Sequence, residues 1–343
     1  MIVSLRPTMK HYYKIAGMFV GLLYAGLYSG INLAETDLVT RQVTLSQKIQ
    51  NGDRIGAFRF LGMLELPDIK LDGMRLSQLS ALAWDDDDEI LYALSDKGSL
   101  FHLKPIFEGD FLTGLKLLRA VTLRELGSDK PLRGWRIDVE GMDIVNGRNG
   151  RRNDAELIIS HERVPAIMRY RPDGYAIGRF PLPAHIDETK LYRERNKMLE
   201  AACIDSALGV LTMPEVPLNN EREGYNRIFS VAGTSWLYPI LPGDRITAME
   251  CLGKAEVWVL QQNFQNPFGR VIVMLKRVRL SSSPPSESLL PETIVTLDSR
   301  DGHQIDNFEG LARHRGKRFF MVSDNNDLFV QRTLLMYFEL LDD

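Results

Sequence analysis

Histidine and cysteine are scarce in this chain. Its 343 residues include six His and two Cys, and no pair of either has zinc-like spacing, which argues against a zinc site. No Gly-x-Ser-x-Gly elbow is present, which argues against a serine esterase. Basic excess is also lacking. The net charge is −3 and no Lys/Arg stripe is interleaved with aromatics, so a nucleic-acid partner is not expected. Helical periodicity is rare. Short β-rich runs bounded by Gly, Asn and Asp dominate instead, which predicts an all-β protein.

What the sequence does contain is a repeat. An acidic or hydroxyl residue is followed by Gly or Ala and a short apolar run, and some fifteen residues later a second strand ends in an acid. The clearest copy pairs Glu309-Gly310-Leu311-Ala312 with Phe320-Met321-Val322-Ser323-Asp324. Ser80-Ala81-Leu82 pairs with Leu94-Ser95-Asp96, Glu140-Gly141-Met142 with Ser160-His161-Glu162, and Glu200-Ala201-Ala202 with Met213-Pro214-Glu215. A degenerate copy pairs Thr247-Ala248-Met249 with Leu260-Gln261-Gln262. A period of roughly 45–60 residues belongs to blades or arrays. Four-stranded units repeated radially make a β-propeller. Five blades are expected, or six if residues 116–126 form a blade of their own. The last unit has only three strands, so the spare strand at residues 58–66 is expected to complete it and close the ring. A large β-sandwich with accidentally similar hairpins is the competing architecture.

In an antiparallel hairpin, the residue opening one strand lies beside the residue closing its neighbour. Each repeat should therefore deliver two polar side chains to one end of the ring. The expected mouth gathers Glu140, Glu200 and Glu309 with Asp96, Glu162, Glu215 and Asp324, while Ser80, Thr247 and Gln262 fill the remaining places. Seven converging carboxylates repel, so some must be protonated, paired with Arg or neutralised by a cation. Oxygen-only ligands favour a hard cation such as Ca²⁺. Arg133, Arg136, Arg163, Arg222 and Arg313 could neutralise the acids without one. The acids could also simply cap strands. Asp85-Asp86-Asp87-Asp88 falls at the opposite end of the first hairpin and reads as a solvated turn. Residues 281–286, Ser- and Pro-rich, read as a loop without chemistry.

Cys203 lies three places after Glu200, and Cys251 four after Thr247. That offset puts them on opposite faces of equivalent strands. Two small core residues are expected rather than a disulfide.

The N-terminus carries Arg6, Lys10 and Lys14, then an uncharged apolar run over residues 15–33, then Glu35 and Asp37. This is the pattern of a signal peptide or signal anchor, and its charge asymmetry would place the remainder outside the cytoplasm. Its length is close to the minimum of about 17–20 residues that spans a bilayer. Asn32-Leu33-Ala34 is the best cleavage candidate. The expected organisation is leader 1–34, polar linker 35–55 and propeller 56–343, in a monomer that is periplasmic or extracellular and meets the inner membrane only through the N-terminal segment, if that is uncleaved.

These residues resemble the phytase-like family, described as "esterase-like activity of phytase". The resemblance rests on Asn307-Phe308-Glu309-Gly310-Leu311-Ala312 with Val322-Ser323-Asp324-Asn325-Asn326, and on Asp138-Val139-Glu140-Gly141-Met142 with Ser160-His161-Glu162-Arg163-Val164-Pro165. Leu79-Ser80-Ala81-Leu82 with Leu94-Ser95-Asp96, and Asn196-Lys197-Met198-Leu199-Glu200 with Pro214-Glu215, match its other blocks. It covers roughly residues 56–340. The departures are Gln262 in place of an acid and Ala201 in place of Gly. The resemblance implies an exported bacterial propeller and hydrolysis of phosphoesters or carboxylesters.

Three functions follow as expectations. The first is a metal-assisted hydrolase, with Glu140, Glu200, Glu309, Asp324, Asp96 and Glu215 as metal ligands, Glu162 as general base, and His161 and Arg163 beside it, the latter suited to orient an anionic substrate. The second is a non-catalytic extracytoplasmic propeller that binds a small ligand or a protein. The third is a sugar-lactone hydrolase, by analogy of fold only.

Overall fold

The computed structural model describes residues 35–134, 137–264, 269–283 and 287–341. The expected leader, residues 1–34, lies outside them, as does Arg136. The described residues contain strands and two short 3₁₀ turns but no α-helix, and none of their helices is long and apolar enough to cross a membrane.

Three short strands come first: β1 (Thr36–Asp37), β2 (Arg41–Gln42) and β3 (Arg54–Ile55). Then come β4 (Phe58–Glu65) and the small hairpin β5 (Lys70–Leu71) and β6 (Met74–Arg75). Blade 1 follows as β7 (Leu79–Asp85), β8 (Ile90–Ser95), β9 (Ser99–Glu108) and β10 (Phe111–Thr122). Blade 2 is β11 (Val139–Val145), β12 (Glu156–His161), β13 (Ala166–Tyr170) and β14 (Ala176–Phe180). Blade 3 is β15 (Leu199–Asp205), β16 (Gly209–Pro214), β17 (Tyr225–Ser230) and β18 (Ser235–Pro239). Blade 4 is β19 (Asp244–Gly253), β20 (Glu256–Phe264), β21 (Val271–Arg279) and β22 (Glu292–Asp298). Blade 5 has β23 (Asn307–Arg313), β24 (Arg318–Asp324) and β25 (Leu334–Leu340), completed on its outer side by β4.

The fold is a five-bladed β-propeller closed by an N-terminal strand, as the repeat predicts. Each of the inner strands β7, β11, β15, β19 and β23 touches the next, and β23 touches β7. Residues 116–122 belong to the outer strand of blade 1 rather than to a sixth blade. Residues 35–55, expected as a linker, lie along the outer edges of blades 1 and 5, where β1 pairs with β10 and β2 and β3 pair with β4.

The hydrophobic core is divided into five clusters, one in each groove between neighbouring blades. This explains why the inner strands are apolar on both faces: each face looks at another blade. The closing groove is rich in rings. Trp258 stacks on Phe319 at 4.2 Å between blades 4 and 5, and Phe58 meets Phe338 at 4.8 Å across the closing pair of strands. Each such buried ring contributes roughly 2–3 kcal/mol. Outer strands face solvent on one side, so β18 alternates Trp236 and Tyr238 inward with Ser235 and Leu237 less buried.

Cys203 and Cys251 form a disulfide, with Cα atoms 5.5 Å apart, contrary to the expectation from sequence. The two cysteines do lie on opposite faces of equivalent strands. In a ring, however, opposite faces of adjacent blades point at each other across the shared groove. The bond therefore staples β15 of blade 3 to β19 of blade 4.

The acidic turn at residues 85–88 does lie at the end of blade 1 away from the predicted mouth. It is more than solvated. Asp85 Oδ1 accepts from the N–H groups of Asp87 and Asp88 at 3.1 Å, and Asp87 accepts from the N–H groups of Asn149 and Gly150. Asp86 pairs with Arg315. The turn thus ties blade 1 to blades 2 and 5.

Candidate functional site

The strand registers show why the repeat has its form. In every blade the first motif residue is the extra residue of a β-bulge. Leu79 pairs with Ser95 and Ala81 with Leu94, leaving Ser80 without an opposite number. Glu140, Glu200, Thr247 and Glu309 fall in the matching register shifts of β11, β15, β19 and β23. A bulge breaks the two-residue alternation and re-aims one side chain. Here it turns Glu140, Glu200 and Glu309 into the central cavity.

The small residue after the bulge follows from the narrow channel. A Cβ on Gly141 would lie 2.5 Å from Ala202 N and 2.7 Å from Glu200 O. A Cβ on Gly310 would lie 3.1 Å from the Cα of Ala81. The inner strands approach too closely there for a larger side chain.

The second motif residues sit at the expected strand ends: Asp96, Glu162 and Glu215 one place beyond the last paired residue, and Asp324 as the last paired residue itself, opposite Asn307. Asp96, Glu162, Glu215 and Asp324 join the three bulge glutamates around one cavity of about 200 Å³. All six expected metal ligands and Glu162 therefore line a common space. Asp138 adds an eighth carboxyl group. Its oxygen, with those of Glu140 and Glu162, forms a set within 4.8 Å of one another, and Glu162, Glu200 and Glu215 form a second such set.

Blade 4 breaks the pattern. It supplies Thr247, whose hydroxyl donates to the carbonyl of Phe308 at 3.0 Å, and Gln262, whose amide reaches the same oxygen at 3.4 Å. It also supplies Arg245, whose guanidinium lies 3.3 Å from Glu215. Lys97 stands 2.8 Å from Asp96 on the opposite side of the ring.

Burial and mutual repulsion control the protonation of this ring. Burial, then the charges of Asp138 and Glu215 and a hydrogen bond with Asp138, push Glu162 up to about 9. Burial raises Glu215 to about 7, with Arg245 opposing. Burial raises Asp324 to about 7, against a hydrogen bond from the N–H of Asn326. Glu140, Glu200 and Glu309 are pushed well above the usual carboxylate range, by burial first and by neighbouring acids second. The scale is clear from Coulomb's law. Two carboxylates about 4 Å apart repel by about 4 kcal/mol at an effective dielectric of about 20.

The donor set fits a hard cation. It is oxygen-only, and a Ca²⁺ ion at about 2.3–2.6 Å from each ligand spans oxygens up to about 5 Å apart, which both three-residue sets satisfy. In addition, Ser80 Oγ and Gln262 Oε1, from the same two rings of positions, are buried without a hydrogen-bond partner among the described residues. Buried oxygens seldom remain unpaired.

Residues 74–327 match the model of the phytase-like family, "Esterase-like activity of phytase". The chain belongs to the phytase-like family. No protein of curated function matches it. Among solved structures, the crystal structure of the β-propeller domain of Myceliophteria thermophila Cps50 (Swd1) is similar over 88% of this chain and 99% of that one, with 11% identity and a TM-score of 0.36.

The structure separates the residues expected beside Glu162 in this phytase-like mouth. Arg163 stays at the rim and pairs with Asp138. His161 lies instead in a neighbouring, more apolar cavity with Leu132, Val164 and Met168, and its Nε2 is 3.3 Å from the hydroxyl of Tyr170. Adjacent residues of a strand point to opposite faces, so Glu162 and His161 cannot both enter the channel. Arg313 lines a separate cavity with Asp143, Glu250 and Cys251, lower on the inner strands and away from the mouth acids. Arg222 lies over the ring of Tyr225.

Sequence reasoning missed Asp138, Arg245 and Asn307 as mouth residues. All three sit two places before a bulge residue, so a third ring of repeat positions was there to be read. Asn307 donates to Glu309 at 2.6 Å.

Proposed function

We propose that this phytase-like propeller is a metal-assisted hydrolase of phosphoesters or other esters, working at the acidic mouth. The observation that carries this reading is the convergence of eight carboxyl groups, with two three-oxygen sets sharing Glu162. Asp138, Glu140, Glu162, Glu200 and Glu215 would hold Ca²⁺ or a similar cation. Such an ion polarises a phosphoryl or acyl oxygen and lowers the pKa of water.

The protein's own groups divide the remaining work. Glu162 belongs to both oxygen sets, which supports reading it as a ligand in place of the general base expected from sequence. Asp324 lies outside both sets, and its position near neutrality suits it to accept a proton from water. Lys197 and Arg245 line the cavity, with Lys97 and Arg163 at its edge. These four cations pair with Glu194, Glu215, Asp96 and Asp138, and would hold the charged oxygens of an anionic ester by exchanging those partners. Glu309, fixed by Asn307, restricts the opposite wall.

The protein is read as an exported monomer. The basic-then-apolar N-terminal sequence supports export, and so does the Cys203–Cys251 bond, since disulfides persist in oxidising compartments.

A second reading is a non-catalytic ligand-binding propeller. Blade 4 favours it, because it places Thr247, Gln262 and Arg245 where an acid pair would stand. A panel of phosphomonoesters, carboxylesters and lactones, assayed with Ca²⁺ and with chelator, separates the two. Turnover that requires the cation and is lost in Asp324→Asn supports the hydrolase. Absence of turnover on every substrate, with cation binding intact, assigns the binding role.

A further inference from the structure

The loops on the mouth side carry an unusual share of the exposed apolar side chains. Nine large apolar residues are exposed among the described residues. Six of them, Leu126, Val164, Leu241, Leu328, Phe329 and Val330, lie in loops that join strand ends at the mouth, so two thirds of these side chains fall on one face.

Leu328-Phe329-Val330 is the sharpest case. Phe329 is 98% exposed, yet its loop is held firmly. Leu328 N–H donates to Asn325 O at 2.8 Å, and Gln331 N–H returns to Leu328 O at 3.0 Å. Arg332 N–H donates to Asp306 at 3.0 Å, and Asp327 pairs with Arg75. Asn326, at the root of this loop, lines the acidic cavity itself. A braced loop thus presents three apolar side chains to the outside, beside the mouth.

We infer that the mouth-side rim seats on a lipid bilayer, with Leu328, Phe329 and Val330 inserted at headgroup depth, so that the acidic cavity opens onto the membrane surface. Two further observations select a bilayer over a protein partner. The apolar tips come from four separate loops around a polar opening, which suits single side chains dipping among headgroups. The sequence also carries the basic-flanked apolar run of residues 15–33. The first strand after it, β1, runs antiparallel to β10 and hence away from the mouth, so its N-terminal end is its mouth-side end. Substrates would then be esters carried by amphiphiles of that membrane. The docking surface stands independently of whether the mouth hydrolyses them.

The test uses the full-length chain with one added reporter, Phe329→Trp, against Leu290→Trp. Leu290 is 92% exposed and lies in the loop joining β21 to β22 at the opposite end. Each variant is mixed with phosphatidylcholine–phosphatidylglycerol vesicles whose acyl chains are brominated, and the emission above wild type is followed. Both sites are exposed, so neither substitution disturbs folding. Quenching at least two-fold stronger for Phe329→Trp than for Leu290→Trp is expected. Equal quenching, stronger quenching at Leu290→Trp, or quenching of neither overturns the inference.

Discussion

Ser160 joins the two acidic bulges of blades 2 and 3. Its Oγ accepts from Gly141 N–H at 2.8 Å and donates to Glu200 O at 3.3 Å. The residue is fully buried, and its hydroxyl fixes the separation of Glu140 from Glu200. Ser160→Ala leaves the Gly141 N–H unpaired in the interior. It should cost about 1–3 kcal/mol and weaken the stabilisation that Ca²⁺ gives. Chemical denaturation with and without Ca²⁺ measures both effects. Unchanged stability would show that the hydroxyl does not tie the bulges.

Acidity should stabilise the metal-free protein. Burial holds Glu162 at about 9 and Glu215 and Asp324 at about 7 in the fold, against about 4 when unfolded. The folded state therefore binds more protons across that window. Stability is full below the unfolded values and is lost as pH rises through the folded ones. His102 and His314 act the other way. Burial lowers both to about 4, so they weaken the fold as pH falls below about 6.5, but the raised carboxyl groups outnumber them. With chelator present, Tm should fall on the order of 5–10 °C from pH 5.5 to 8.5, and saturating Ca²⁺ should flatten the slope. A Tm that is level or rises with pH in chelator would contradict the protonation pattern.

Sequence and structure agree where the hairpin is the unit. Paired strand ends alone place Glu140, Glu200 and Glu309 beside Glu162, Glu215 and Asp324. The leftover strand at Phe58 announced how the ring closes. Other features needed relationships between blades. The Cys203–Cys251 pairing was hidden because faces were compared within a common frame, whereas neighbouring blades present opposite faces to one groove. His161 was legible in principle, since strand alternation alone sends it away from Glu162. The bulges were not, because an inserted residue looks like any other until its partners are known. The glycines at 141 and 310 were their only trace.

Removing the inter-blade staple should destabilise the ring at blades 3 and 4. The disulfide spans a sequence separation of 48 residues. Loop-closure arguments give about 2–4 kcal/mol for such a cross-link. The Cys203→Ser, Cys251→Ser double variant should show that loss in chemical denaturation. A change well below about 1 kcal/mol would contradict a formed bond of this loop length.

The hairpin between β19 and β20 offers a stabilising change. Lys254 and Ala255 form its two-residue turn with φ of 56° and 60°. Left-handed backbone costs a residue with a Cβ about 1–2 kcal/mol, and glycine avoids that cost. Ala255→Gly should therefore raise stability by about 1 kcal/mol, read as a higher denaturation midpoint. A lower midpoint would show that the turn carries no such strain.

The most direct measurement is a Ca²⁺ titration of the full-length chain followed by thermal unfolding, with Glu162→Gln alongside. Glu162 joins both oxygen sets, so its carboxylate should be indispensable to the ion while its amide isostere keeps the packing. The wild type should gain about 2.7 kcal/mol at a hundredfold excess over Kd, and Glu162→Gln should gain almost none. No response in the wild type, or an equal response in both proteins, would contradict a cation held by carboxyl groups gathered at the mouth.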